Sequence, residues 1–98
     1  MDIGRVVIIN ALKTNNMEQL KPLIKYYIEN TVINSYYRYK GVVVDNITID
    51  GHLCSIEFTG NEYSLSNEYL DHAVIIETRL NIWEMMAFLY NQSNENNG

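Results

Sequence analysis

The chain reads as a small single α+β domain. An antiparallel or mixed sheet of three to five strands packs against a long N-terminal-half helix and a C-terminal helix. Three observations lead there. Val42 to Ile49 and His52 to Thr59 flank Asp50-Gly51, a pair suited to a two-residue hairpin turn. Upstream, Leu20, Ile24, Ile28, Val32, Tyr36 and Lys40 recur every four residues, the spacing of one helix face. Downstream, Asn81 and Glu84 form a capping box over Ile82, Trp83, Met85, Met86, Phe88 and Leu89.

Residues 3 to 10 carry Ile3 and the run Val6-Val7-Ile8-Ile9, which suits a central strand. The alternative is a short helix, because the run continues into Ala11 and Leu12. Asn15 with Glu18, or Asn16 with Gln19, offers a capping box for the long helix, which Gly41 stops after Lys40. Pro22 is too deep for a helix starting at Met17. Either the helix bends there, or a short first turn gives way to a main helix at Pro22.

In the hairpin, pairing Ile49 with His52 collects Val43, Ile47, Ile49, Cys54, Ile56 and Phe58 on one face. Asp45 interrupts that face. A bulge there shifts the phase and lets Val42 and Val44 point inward. Gly60-Asn61 reads as another turn, Glu62 to Leu65 as a short strand, and His72 to Thr78 as a further strand. A single helix from Asn67 or Glu68 to Tyr90 competes with that strand, and strand-then-helix ranks ahead. The C-terminal helix is expected to end near Tyr90, closing a domain of residues 1–90. The Asn-rich segment 91–98 has little to bury and is expected to be disordered. The α-β-β-β-α portion resembles double-stranded-RNA-binding domains in topology alone, since the acidic second half departs from the basic patch such a domain needs.

Charge is unevenly placed. Residues 13–40 hold five Lys/Arg against Glu18 and Glu29, whereas residues 41–98 hold Arg79 against nine carboxylates, within a net charge of −5. That balance disfavours an anionic membrane or simple nucleic-acid binding and favours a partner with a basic surface. The single cysteine, Cys54, rules out an intrachain disulfide and suits a reducing compartment. No signal-peptide pattern or membrane-length apolar run is evident, so the expected location is cytoplasmic.

No catalytic, cofactor-binding or metal-binding signature stands out. The glycines are isolated, so no phosphate-cradling loop is present, and Cys54 lies among apolar neighbours as an inert thiol does. Glu68, Asp71 and His72 share a face only if that stretch is helical, which would make the chain a small metal-assisted enzyme. The leading expectation is a non-enzymatic protein-binding or inhibitory module whose carboxylates Asp45, Asp50, Glu57, Glu62, Glu68 and Asp71 engage a basic partner. Its small size and 13 asparagines are compatible with a viral or mobile-element origin. Met85 and Leu89 share a flank of the C-terminal helix and are the candidates for a homodimer contact. The alternative is a dimeric nucleic-acid-binding regulator that uses Lys21, Lys25, Tyr26, Tyr37, Arg38 and Lys40 along the basic helix.

Overall fold

Three strands in chain order, β1 (Tyr37–Asp50), β2 (Leu53–Ser64) and β3 (Tyr69–Asn81), make an antiparallel sheet. Helices α1 (Ile3–Thr14), α2 (Lys21–Asn30) and α3 (Ile82–Asn97) cover one of its faces, and a 3-10 turn (Met17–Leu20) leads into α2. The computed structural model describes residues 3–14, 16–34, 36–64 and 69–97, with side chains over 6–14, 16–34, 36–64 and 73–92.

The first segment is a helix, not the expected strand. Ile8 and Ala11, three residues apart, are fully buried, while Val6 and Leu12 face out. Packing of that one face overrides the weak helix propensity of the β-branched run. The 3-10 turn begins without a capping bond from Asn16, and the alternative box from Asn15 lies outside the described residues. Pro22 falls in the first turn of α2, where its missing N–H costs nothing.

The long helix does not reach Lys40. It stops at Asn30, and local polar side chains account for the stop. Asn30 Nδ2 donates to Tyr26 O and Thr31 Oγ1 to Tyr27 O, capping the last carbonyls. Asn34 Oδ1 then accepts from the backbone N–H groups of Tyr36 and Tyr37 at 2.8 and 2.7 Å, a turn that launches β1. Val32 and Tyr36, which extend the four-residue spacing, are exposed, so they are not part of an apolar stripe.

The hairpin is present, offset by one residue at its tip. Asp50 pairs with Leu53, leaving Gly51-His52 as the turn, with Gly51 at φ +62°. Asp45 marks a bulge: the register shifts between Val44 and Asn46, and again between Lys40 and Val43. Val42 and Val44 are buried as that phase shift requires, and Val43 is 59% exposed. The expected turn at Gly60-Asn61 is instead continuous strand. A Cβ on Gly60 would lie 3.3 Å from Val42 Cγ2 and 3.4 Å from Lys40 O, so the bulged strand closes onto it.

β3 passes directly into α3, as strand-then-helix requires. Asn81 Oδ1 accepts from Trp83 N at 2.9 Å and Glu84 N at 3.3 Å, which is an N-cap. α3 runs on to Asn97, past Tyr90 and through the segment expected to be disordered. No Pro or Gly interrupts it before Gly98, and Tyr26 Oη donates to Gln92 Oε1 at 3.4 Å. Met85 and Leu89, expected at a dimer surface, are buried within the chain's own core, whereas Trp83 is 60% exposed. The sheet supplies the reason: α3 turns Ile82, Met85, Met86 and Leu89 onto the same core as Ile56 and Phe58. Phe58, fully buried, meets the edge of Tyr39 at 5.2 Å.

Replacing the cap with Asn81→Ala is expected to lower stability by about 1 kcal/mol, read from the urea midpoint. Gly60→Val is expected to cost more, about 1–3 kcal/mol, because the added methyls meet Val42 and the β1 backbone.

Candidate functional site

With every described helix on one side, the other sheet face is uncovered among the described residues. Period-2 alternation puts a set of polar and charged residues from all three strands on it. Rows run across it in register. Asn46, Glu57 and Glu77 form one row, and Thr48, Ser55 and Arg79 the next toward the hairpin tip. On the other side lie Val43, Thr59 and Ile75, then Lys40, Asn61 and Ala73, then Arg38 and Tyr63.

The middle of the face is acidic. Glu57 and Glu77 stand directly opposite one another, and the bulge brings Asp45 beside them. Asn46 Nδ2 donates to Glu57 Oε1 at 3.2 Å, and Thr59 Oγ1 donates to Asp45 Oδ2 at 3.3 Å. Among the described residues no ion pair neutralises Asp45, Glu57 or Glu77; the two present, Lys21–Glu18 and Lys25–Glu29, lie in the helical layer. A shallow depression of about 400 Å³ opens over this band, between Asn46, Thr48, Ser55, Glu57, Glu77 and Arg79. Beside it lies an apolar strip of Val43 and Ile75, 59% and 71% exposed.

The far end is basic and aromatic. The Arg38 guanidinium and Lys40 ammonium lie 5.9 and 5.6 Å from the centre of the Tyr63 ring.

Of the expected partner-binding carboxylates, Asp45 and Glu57 meet in the acidic band. Asp50 is exposed at the hairpin tip, away from them. Glu62 pairs with Tyr39, on the phase of the sheet that faces the helices, and acts on that tyrosine rather than on the band. Glu68 lies outside the described residues, and Asp71 is on β3 with its side chain outside them. Val43, expected on the inner face of the hairpin, is outward instead, and Glu77 and Ile75 were not singled out from the sequence. The alternation of Ala73, Ile75, Glu77 and Arg79 carries their placement, and it becomes readable once the stretch is known to be a strand.

The nucleic-acid candidates do not gather on one surface. Arg38 and Lys40 are on the open face, whereas Lys21 and Lys25 are on or beside α2 and engaged with Glu18 and Glu29. Tyr26 packs toward Phe88 of α3 with ring centres 6.0 Å apart, and Tyr37 belongs to β1, so they share no helix flank. The metal-like cluster loses its basis because β3 is extended from Tyr69, so Asp71 and His72 have no helical spacing. Among the described residues no group of three His, Cys, Asp or Glu side chains is placed to hold a metal ion. None of the described helices is long and apolar enough to cross a membrane.

Cys54 sits fully buried under the sheet, and burial pushes its thiol from the ordinary 9.0 up to about 11. Tyr27 is also raised, first by burial and then by Glu84, and Tyr39 by burial and then by Glu62. These groups hold their protons more tightly folded than unfolded. For Cys54 the resulting contribution to stability is complete below its ordinary 9.0 and lost as pH rises through about 11. The urea midpoint is expected to fall across that interval, and Cys54→Ala to make the fall shallower.

Comparison with protein-family models, with curated protein sequences and with solved structures finds no match to this chain.

Proposed function

We propose that this chain is a small non-enzymatic protein-binding module that presents the open face of its sheet to a partner with a basic surface. The observation that carries the reading is the Glu57–Glu77 pair, two carboxylates directly opposite across neighbouring strands with Asp45 beside them. Like charges in that arrangement oppose folding by a few tenths to about 1 kcal/mol. A lysine or arginine from a partner, settling between them, converts that repulsion into two attractions. The strip of Val43 and Ile75 supplies adjoining apolar contact, and Arg79 limits how far a cationic segment extends toward the hairpin tip. Attraction of this kind speeds encounter and fades with added salt.

A second reading rests on the other end of the face. Arg38 and Lys40 flanking Tyr63 combine phosphate-binding charge with an aromatic ring, the composition of a small single-strand nucleic-acid contact. Three carboxylates lie one strip away, so the acidic reading is favoured.

Titrating the isotopically labelled chain with a defined lysine- and arginine-rich peptide separates the two. The expected result is amide shifts at Asn46, Ser55, Glu57 and Glu77 that shrink as salt is raised. Glu57→Lys with Glu77→Lys should weaken binding at least about tenfold, given the loss of two charge contacts. Shifts elicited by a single-stranded oligonucleotide at Arg38, Lys40 and Tyr63, with none from the peptide, would replace the first reading with the second. Glu77→Gln alone is expected to raise stability by about 0.2–1 kcal/mol.

A further inference from the structure

We propose, on the footing that the acidic band receives basic groups, that its partner is a second copy of this chain. Two copies stack open face to open face about a two-fold axis along the Val43–Thr59–Ile75 row, each setting its acidic band over the other's basic end.

Both signs of charge are on this one surface, on opposite sides of an apolar strip. Glu57 and Glu77 lie one row from Val43, Thr59 and Ile75, and Asp45 is held beside them by its hydrogen bond from Thr59. In the other direction Lys40 lies one row away and Arg38 the next, gathered around the ring of Tyr63. The ion pairs among the described residues, Lys21–Glu18 and Lys25–Glu29, engage none of these charges. Between the two ends, Val43 and Ile75 are left 59% and 71% exposed.

A two-fold axis along that row reverses strand direction and keeps each strand over its own copy. Val43 then meets the partner's Val43, and Ile75 the partner's Ile75. The row of Asn46, Glu57 and Glu77 comes over the row of the partner's Lys40 and the partner's Asn61. Asp45, on β1, comes toward the partner's Lys40 on the same strand, a contact that the two-fold makes twice. Arg79 falls on the β3 side, two strands across from the partner's Arg38. Stacked sheets lie about 10 Å apart. Facing Val, Thr and Ile side chains fill such a gap, and Lys and Arg are long enough to cross it to a carboxylate.

Other ways of stacking two copies of this face lose the match. An axis along the central strand lays each row on itself, so Glu57 meets the partner's Glu57. An axis across the strands at the Asn46–Glu57–Glu77 row does the same. One at the Lys40–Asn61–Ala73 row sets Lys40 against the partner's Lys40 and carries the acidic band beyond the basic end. One midway between that row and the apolar strip sets Val43 against the partner's Lys40. Charge and apolar strip together therefore select a second copy as the occupant and the Val43–Thr59–Ile75 row as the axis. The face is only three strands wide, so the contact is small and the pairing reversible.

Two charge-reversed variants of the full chain, alone and mixed, test this. Sedimentation of the unmodified chain at rising concentration should show a monomer–dimer equilibrium that added salt weakens. Arg38→Glu with Lys40→Glu, and separately Glu57→Lys with Glu77→Lys, should each raise the dimer dissociation constant at least about tenfold. Mixed in equal amounts, the two should form a heterodimer, because each offers the other the opposite sign at both contacts. Both variants remain net negative, so overall charge attraction does not produce that rescue, and general damage to the fold does not permit it. Ile75→Asp should also dissociate the dimer, whereas Trp83→Ser, exposed on α3, should not. A chain that stays monomeric at millimolar concentration, loss of the dimer through Trp83→Ser, or failure of the mixture to associate would each overturn the proposal. A monomeric chain that still binds the lysine- and arginine-rich peptide at Glu57 and Glu77 overturns the homodimer alone. If Arg38→Glu with Lys40→Glu, its acidic band intact, fails to bind that peptide, the reading of the band as a surface for basic partners falls with it.

Discussion

The inward turn of both Val42 and Val44 is the constraint on which the rest of the molecule depends. A regular strand cannot send residues 42 and 44 inward and also hold Ile47 and Ile49 over the core, because alternation puts the two pairs on opposite faces. The bulge at Asp45 resolves the conflict by adding one residue, and the irregularity after Gly41, at φ +62°, bends the strand again. Gly60 yields the space that the bent strand occupies. The same kink offers the Val42 N–H to Glu29, which ties α2 to the sheet. It also turns Asp45 outward, toward Glu57 and Glu77. Core, helix docking and surface charge thus share one backbone irregularity.

Elements with local punctuation were legible in the sequence. The hairpin around Gly51, the bulge at Asp45, the Asn81 cap and the strand before it all rest on residues whose preferences act within a few positions. The errors arose where periodicity was used without punctuation. The four-residue spacing from Leu20 to Lys40 ran across Thr31 and Asn34, whose side chains capture backbone groups and end the helix. The β-branched run at residues 6–9 imitated a strand, but burial of Ile8 and Ala11 three positions apart shows the helical period deciding. Gly60 was read as a turn because its role is close approach by another strand, which no local pattern reveals.

The candidate site was legible in kind and not in composition. Acidity of the second half is a property of the sequence, and Asp45 and Glu57 were found through it. Which carboxylates meet is a matter of register: Glu62 sits five positions from Glu57 on the same strand, so the two fall on opposite faces, while Glu77 arrives from the next strand. Met85 and Leu89 were misplaced for a related reason. An apolar helix in a short chain can be saturated by its own sheet, and here a single uninterrupted layer of strands is wide enough to absorb it.

The sheet's order also bears on how the chain reaches this state. β1, β2 and β3 lie side by side in the order in which they occur, so each pairing joins strands that are neighbours along the chain. The sheet can therefore zip outward from the Gly51 turn without first closing a long loop, at low entropic cost. α2 and α3 flank the meander in sequence, so each is delivered to the apolar face by the strand next to it. α1, at the far end of the chain and packed chiefly on the 3-10 turn and α3, has the largest separation to bridge and is the natural last piece to dock.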